Sequence, residues 1–435
     1  MRFIILVFVT TCLMLSGCKT KDQQTLDINP ETIGQITAQM TDVMVHDVTN
    51  PPLGARFFSY ACLAGYEVVA LNDSSIKSMH GVLNDFPKIV RPYGIEGFSY
   101  KLSAALAMLE TAKKMQPSGK ALLQKYQEQL LDSCRTVGFS DEVLENSEKY
   151  ALDISKQILK YAKADRYNLI SNFPRYEPKG VEGTWFPTPP GYFPPVEPYF
   201  NRVRPFFLDS AAQFKPVPPV AFSTDKNSEF YKFMKANYEV KLDQKQKEIA
   251  AFWDCNPFAL DNKGHLMVGM KKISPGSHWM GITDIVCKQS KADFAKTLKV
   301  NTAVAIGMMD AFMTCWDEKY RSNRIRPETA IRKYIDPTWT PFLQTPPFPE
   351  YLSGHSVVSA AVSAILTHFI GDQFAYTDTV EERFGLPARD FKSFKQAADE
   401  AAISRFYGGI HFMDAIDVGM KQGDLVGNLL VDKLK

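Results

Sequence analysis

The sequence predicts an all-α protein, two packed helical bundles carrying a long proline-rich irregular segment. Three observations lead there. Apolar residues recur at helical spacing through most of the chain, as in Phe57, Tyr60, Ala61, Ala64 and Val68. No comparable run alternates as a half-buried strand would. The 27 prolines cluster rather than scatter, chiefly between Tyr167 and Asp225, so the helical stretches keep interiors that proline would otherwise break.

In chain order, residues 1–17 read as an export leader: Arg2, an apolar run from Phe3 to Leu15, then small residues. Leu15-Ser16-Gly17-Cys18 resembles a bacterial lipoprotein processing site, at which Cys18 would carry the lipid; a plain signal peptide with an incidental cysteine is the other reading. Residues 18–29 then form a polar tether, and an exported, membrane-anchored protein follows. Residues 30–225 make an N-terminal helical half. It begins with two helices about a turn at Asn50-Pro51-Pro52, followed by helices at 99–114, 119–134 and 141–164. Ser140 suits the N-cap of the last, with Asp141 and Glu142 in its first turn. Trp185-Phe186-Pro187-Thr188-Pro189-Pro190 and Pro216-Val217-Pro218-Pro219 mark a wall, its aromatics favouring ordered packing over a linker.

Residues 226–435 form the C-terminal bundle, with helices expected at 228–253, 278–320 (broken near Ser290), 357–370, 390–406 and 414–434, and a loop at 256–276. Gly419, Gly423 and Gly427 put a four-residue glycine stripe on the last helix, which implies close backbone contact with a neighbour.

Fifty basic residues against 48 acidic ones, without a basic stripe, argue against nucleic acid as a partner. Past the leader, Cys62, Cys134, Cys255, Cys287 and Cys315 lie far apart and show no close-spaced metal pattern, so buried free thiols are expected.

The chemistry concentrates in residues 319–411. Lys319 and Arg326 stand seven apart, which on one helix ending at Pro327 would share a face. Ser353-Gly354-His355 opens an apolar helix whose free amides suit an anion. Arg405 closes a further helix, Gly408-Gly409 permits a sharp turn, and His411 follows. Three cations with the Ser353 hydroxyl and the Gly354 amide can surround the oxygens of a compact oxyanion. The two imidazoles can serve as axial partner and proton carrier.

These three parts, in this order and spacing, resemble the motif of the vanadium-dependent haloperoxidases and type 2 phosphatidic acid phosphatases. The resemblance implies that Lys319, Arg326, Ser353, Gly354 and Arg405 bind the oxyanion, with His411 as axial metal ligand and His355 as acid–base. It implies vanadate as cofactor, phosphate being able to take the same place, with hydrogen peroxide and halide as substrates. Trp316 and Phe348 match positions where chloride-oxidising members carry a tryptophan and a phenylalanine, so Trp316, Phe348 and His355 form a candidate halide pocket; plain core packing also accounts for the two aromatics. Two departures from the pattern stand out. Leu352 replaces a proline, and Ala415 stands where the family has an aspartate, flanked by Asp414 and Asp417. Asp254 is a candidate partner for the arginines.

Vanadate-dependent haloperoxidase is the leading reading. A soluble acid phosphatase, with His411 as nucleophile toward a phosphate ester, and a non-catalytic lipid-anchored oxyanion-binding protein are the alternatives. His278 either lines the cleft or bonds structurally, His368 reads as a core or edge residue, and Arg321, Arg324, Arg332 and Lys333 read as solvated.

Overall fold

A computed structural model describes residues 27–263 and 266–435. The leader, Cys18 and most of the tether lie outside the described residues. The helices among them are α1 (Glu31–His46), α2 (Pro51–Asn72), α3 (Tyr100–Met115), α4 (Gly119–Thr136), α5 (Asp141–Lys163), the single turn α6 (Tyr167–Ile170), α7 (Glu229–Glu239), α8 (Gln244–Phe252), α9 (Pro275–Gln289), α10 (Phe294–Ser322), α11 (Pro327–Tyr334), α12 (Gly354–Ile370), α13 (Phe394–Tyr407) and α14 (Met413–Lys433). Two short antiparallel ladders accompany them: β1 (Leu260–Lys263) with β2 (Leu266–Gly269), and β3 (Tyr376–Asp378) with β4 (Arg389–Phe391).

Local chemistry explains most boundaries. Asn50 caps α2 by accepting from Leu53 N, and Pro51, lacking an N–H, fits the first turn. Ser140 accepts from Val143 N at the start of α5. Four expectations need correcting. The 228–253 stretch breaks between α7 and α8, where Asp243 starts a fresh helix through a capping box. The 256–276 loop contains the β1–β2 hairpin. The stretch from Asp390 begins as strand, and its helix waits for the Ser393 cap. Lys319 and Arg326 do not share a helix: Asn323, at φ 50°, caps α10 in the left-handed region that asparagine tolerates, and Arg326 precedes Pro327 at the start of α11.

The long helix α10 organises the molecule. It packs against α2 in one bundle and α12 in the other, and its residues Leu298 to Trp316 run through one continuous core. Ser59 on α2 donates to the Ala305 carbonyl (2.8 Å), and Thr302 donates to the Cys62 carbonyl (3.2 Å), so polar groups in this dry interface stay satisfied. The glycine stripe meets α12 as expected. A Cβ built on Gly423 would stand 2.1 Å from the Val357 carbonyl oxygen, and one on Gly427 2.5 Å from that of Ala361.

The proline-rich segment is tied down by bonds its own backbone cannot make internally. Asp310 on α10, fully buried, accepts the Phe206, Phe207 and Leu208 amides. The Val196 carbonyl accepts from Trp316 Nε1 (3.1 Å) and from the Tyr320 hydroxyl (2.6 Å). Trp185 N donates to Asn323 O, and Ile325 N to Gly183 O, both at 2.9 Å. The segment thereby braces the turn between α10 and α11 that delivers Arg326. No described helix is long and apolar enough to cross a membrane.

Candidate active site

Six of the residues singled out from sequence line one small cavity of about 30 Å³: Trp316, Phe348, Gly354, His355, Arg405 and His411. Its remaining wall includes Phe312, Pro346 and the turn from Cys255 to Phe258. The proline-rich segment stands behind this wall, touching it through the Phe193–Phe258 ring pair.

The polar groups arrive from helix ends, while Phe348 comes from the loop before α12. Ser353 caps α12, accepting from Ser356 N, which leaves its O–H free to donate. Gly354 and His355 are the first residues of that helix, where amides have no carbonyl partner. Arg405 sits in the last turn of α13. Gly409, at φ 74°, then turns the chain so that His411 precedes α14.

The decisive contacts surround His411. Its Nδ1 bonds Glu350 Oε1 at 2.9 Å, and Phe412 N donates to the same oxygen at 3.0 Å. A carboxylate only accepts, so Nδ1 carries the proton and the Nε2 lone pair faces the cavity side, where Arg326 Nη1 meets it at 3.1 Å. Burial, reinforced by the charges of Arg326, Lys319 and Arg405, holds His411 well below its usual 6.5. Burial and the Arg405 charge do the same for His355. Both rings are therefore neutral at neutral pH, as a metal ligand and a proton acceptor must be.

Glu350 takes the place that the pattern gives to an aspartate four residues after the histidine. Asp414 does not reach His411; it clamps Arg324 with two bonds of 2.6 and 2.7 Å. Arg324 Nε also donates to Glu350 Oε2 at 2.6 Å. Asp417 is exposed. Arg324, expected on a solvated face, is instead 3% exposed and holds Glu350 in register with His411. Arg321, Arg332 and Lys333 do lie toward solvent, in local ion pairs. Neither Glu350 nor Arg324 has a helical period or close motif spacing to mark it. The only signal was the missing aspartate at Ala415, which demanded a substitute from elsewhere.

The cations are arranged in two ranks. Lys319 Nζ donates to the Pro349, Glu350 and Leu352 carbonyls, so its ammonium organises the loop that presents Glu350 and Ser353. Burial, with the neighbouring Arg326 charge, lowers it to about 7. Arg326 donates through Nε to Phe348 O (2.8 Å) and through Nη1 to Ile410 O (2.9 Å). Arg405 Nη1 donates to Trp253 O at 2.7 Å. Asp254 forms its ion pair with Lys272, not with these arginines, although its charge still favours the Arg405 guanidinium.

Among the buried side-chain atoms of the described residues that have no hydrogen-bond partner are three from the expected site: Arg326 Nη2, Arg405 Nε and His355 Nε2. Unpaired buried polar groups are costly. Together with His411 Nε2, which Arg326 Nη1 meets at 3.1 Å, they suit a tetrahedral oxyanion. Phe348 and Trp316 pack at 4.9 Å, with the Lys319 ammonium 5.0 Å from the Phe348 ring and 5.8 Å from that of Trp316. This apolar face with a cation behind it suits a polarisable anion. His278 is absent from the cavity: it is wholly buried and bonds Asp378 at 2.8 Å. His368 lies exposed at the edge of α12. Cys62, Cys134, Cys255, Cys287 and Cys315 are buried free thiols.

A family model described as the VCPO second helical-bundle domain matches residues 299–435. No curated protein matches the chain. Among solved structures, it is similar to a bacterial vanadium-dependent iodoperoxidase at 44% identity and a TM-score of 0.88, covering 94% of this chain and 97% of that one. Holo and apo structures of a bacterial vanadium-dependent chloroperoxidase share the fold at 15% identity, with TM-scores of 0.63 and 0.60. Each covers 89% of this chain, against 93% of the holo chain and 95% of the apo chain. With the three-part cage, the protonated Nδ1 of His411 and a whole-length relative at this identity, the chain belongs to the vanadium-dependent haloperoxidases.

Proposed function

We propose that the chain oxidises halide, iodide foremost, with hydrogen peroxide at a vanadate held by His411. The observation that carries this reading is that Arg326 Nη2, Arg405 Nε and His355 Nε2 are buried without partners while the His411 imidazole beside Arg326 is held neutral. Iodide is favoured by the 44% identity to an iodoperoxidase.

Bound vanadate supplies the electrophilic centre at which peroxide becomes an oxidant for halide. The chain's own groups do the rest. His411 Nε2 would hold the vanadate, and Glu350 keeps the proton on Nδ1. Arg326 and Arg405 would offer their free N–H groups to the oxyanion's oxygens, joined by the Ser353 hydroxyl and the Gly354 amide, while Lys319 would add charge from behind the loop. His355, uncharged and in the cavity wall, would accept a proton on Nε2 from incoming peroxide and pass it to the displaced hydroxide, which leaves as water. Trp316 and Phe348 exclude water from the halide path. Triiodide formation with vanadate, peroxide and iodide is the expected result, with bromide and chloride slower. No oxidation of any halide, with phosphate esters hydrolysed instead, would replace this reading by the phosphatase one.

We also propose export and lipid anchoring at Cys18, supported by the leader's composition. Palmitate labelling in a bacterial host should vanish in Cys18→Ser; labelling that persists would count against it.

A further inference from the structure

We propose that Cys255, His278 and Glu381 form a second metal site, for zinc, beside the oxyanion cavity. They come from three places in the chain: the turn after α8, the first turns of α9, and the segment after β3. His278 Nδ1 lies 3.4 Å from Cys255 Sγ and 3.4 Å from Glu381 Oε1, and Sγ lies 3.8 Å from that same oxygen. Ordinary zinc bonds at tetrahedral angles put such ligand atoms about 3.4–3.6 Å apart. All three residues are buried, at 3%, 0% and 6% exposure.

The surroundings are those of a ligating histidine. His278 Nε2 bonds Asp378 Oδ2 at 2.8 Å, which places the proton there and aims the Nδ1 lone pair at the other two groups. Carboxylates orient metal-bound imidazoles in this way. Asp378 is itself held by Val380 N at 3.0 Å, and the Trp253 indole stacks on the imidazole at 4.7 Å and 22°. Three protein ligands leave one position for water.

Charge also balances. Cys255 binds as the thiolate, releasing its proton to solvent, and together with the Glu381 carboxylate it matches the charge of the zinc dication in the dry interior.

Such an ion bears on the cavity. Cys255 lines it, and two residues earlier the Trp253 carbonyl accepts from Arg405 Nη1 and hydrogen-bonds His355. Zinc would pin the turn that aims both groups. The spacing of Cys255, His278 and Glu381, 23 and 103 residues apart, hid the site from any motif search.

The test is the metal content of the full chain, grown with zinc and purified without chelator. About one zinc per chain is expected by mass spectrometry, falling at least tenfold in Cys255→Ser and in Glu381→Gln at the same buffered free zinc. His411→Ala should keep its zinc while losing vanadium, which separates this site from the oxyanion cavity whatever the halide assay shows. If Cys255→Ser does not fold, cobalt(II) added to the zinc-stripped wild-type chain serves instead. A thiolate-to-cobalt charge-transfer band supports the site. Zinc far below one per chain with no such band, or a zinc content indifferent to both substitutions, overturns it.

Discussion

His411→Ala is expected to abolish vanadate-dependent halide oxidation and to weaken vanadate binding by at least about a hundredfold, the scale set by losing a metal's protein ligand rather than a supporting contact. Glu350→Gln is expected to fall between wild type and His411→Ala, losing about 10–100-fold in vanadate affinity. An amide can still accept from His411 Nδ1 but no longer matches the charge of Arg324, which would remain clamped by Asp414 alone. Calorimetric titration of the folded variants with vanadate checks both. Wild-type affinity in Glu350→Gln would mean that Glu350 is a bystander. Wild-type affinity in His411→Ala would remove the axial-ligand assignment altogether. Because His411 is held well below 6.5, the wild-type ligand should stay unprotonated through pH 6.5. A binding curve that collapses on passing 6.5 would show an ordinary, solvated imidazole.

Gly423→Ala should be among the most destabilising single methyl additions in the chain. Alanine normally gains about 1 kcal/mol over glycine inside a helix. Here its Cβ would stand 2.1 Å from the Val357 carbonyl oxygen and 2.8 Å from Ala360 Cβ, both on the facing helix. Backbone cannot swing aside as a side chain can, so α14 must move from α12 at a cost of about 1–3 kcal/mol or more. The matched control is Gly276→Ala on α9, where the new Cβ meets nothing nearer than 3.6 Å. That change should be neutral or stabilising. Thermal unfolding of the pair decides: a Gly423→Ala chain as stable as Gly276→Ala would mean the two helices are not in the backbone contact described. Since Ser353 caps α12 and α14 follows His411, vanadate affinity should fall along with stability.

Most of the candidate site residues were legible because their structural meaning is local. A cap, a glycine turn or a proline at the first position of a helix acts within a few residues, so Ser353-Gly354-His355 and Gly408 to His411 could be placed at helix starts by inspection. The glycine stripe on α14 was legible for the same reason, since a fixed period puts it on one face. Lys319 to Arg326 shows the limit even of local reasoning. A spacing compatible with one helix was broken by Asn323, and the two cations reach the site from different elements.

By itself the sequence determined the helical class and pointed to Lys319, Arg326, Arg405 and two imidazoles near helix starts as the candidate site. Those follow from periodicity and from residue chemistry at short range. Only the tertiary structure decided which carboxylate supports His411, that Lys319 serves its loop, and that His278 belongs to a buried cluster with Cys255 and Glu381. Those pairings join groups tens to a hundred residues apart. Burial and charge compensation choose partners in space, where separation along the chain carries no weight.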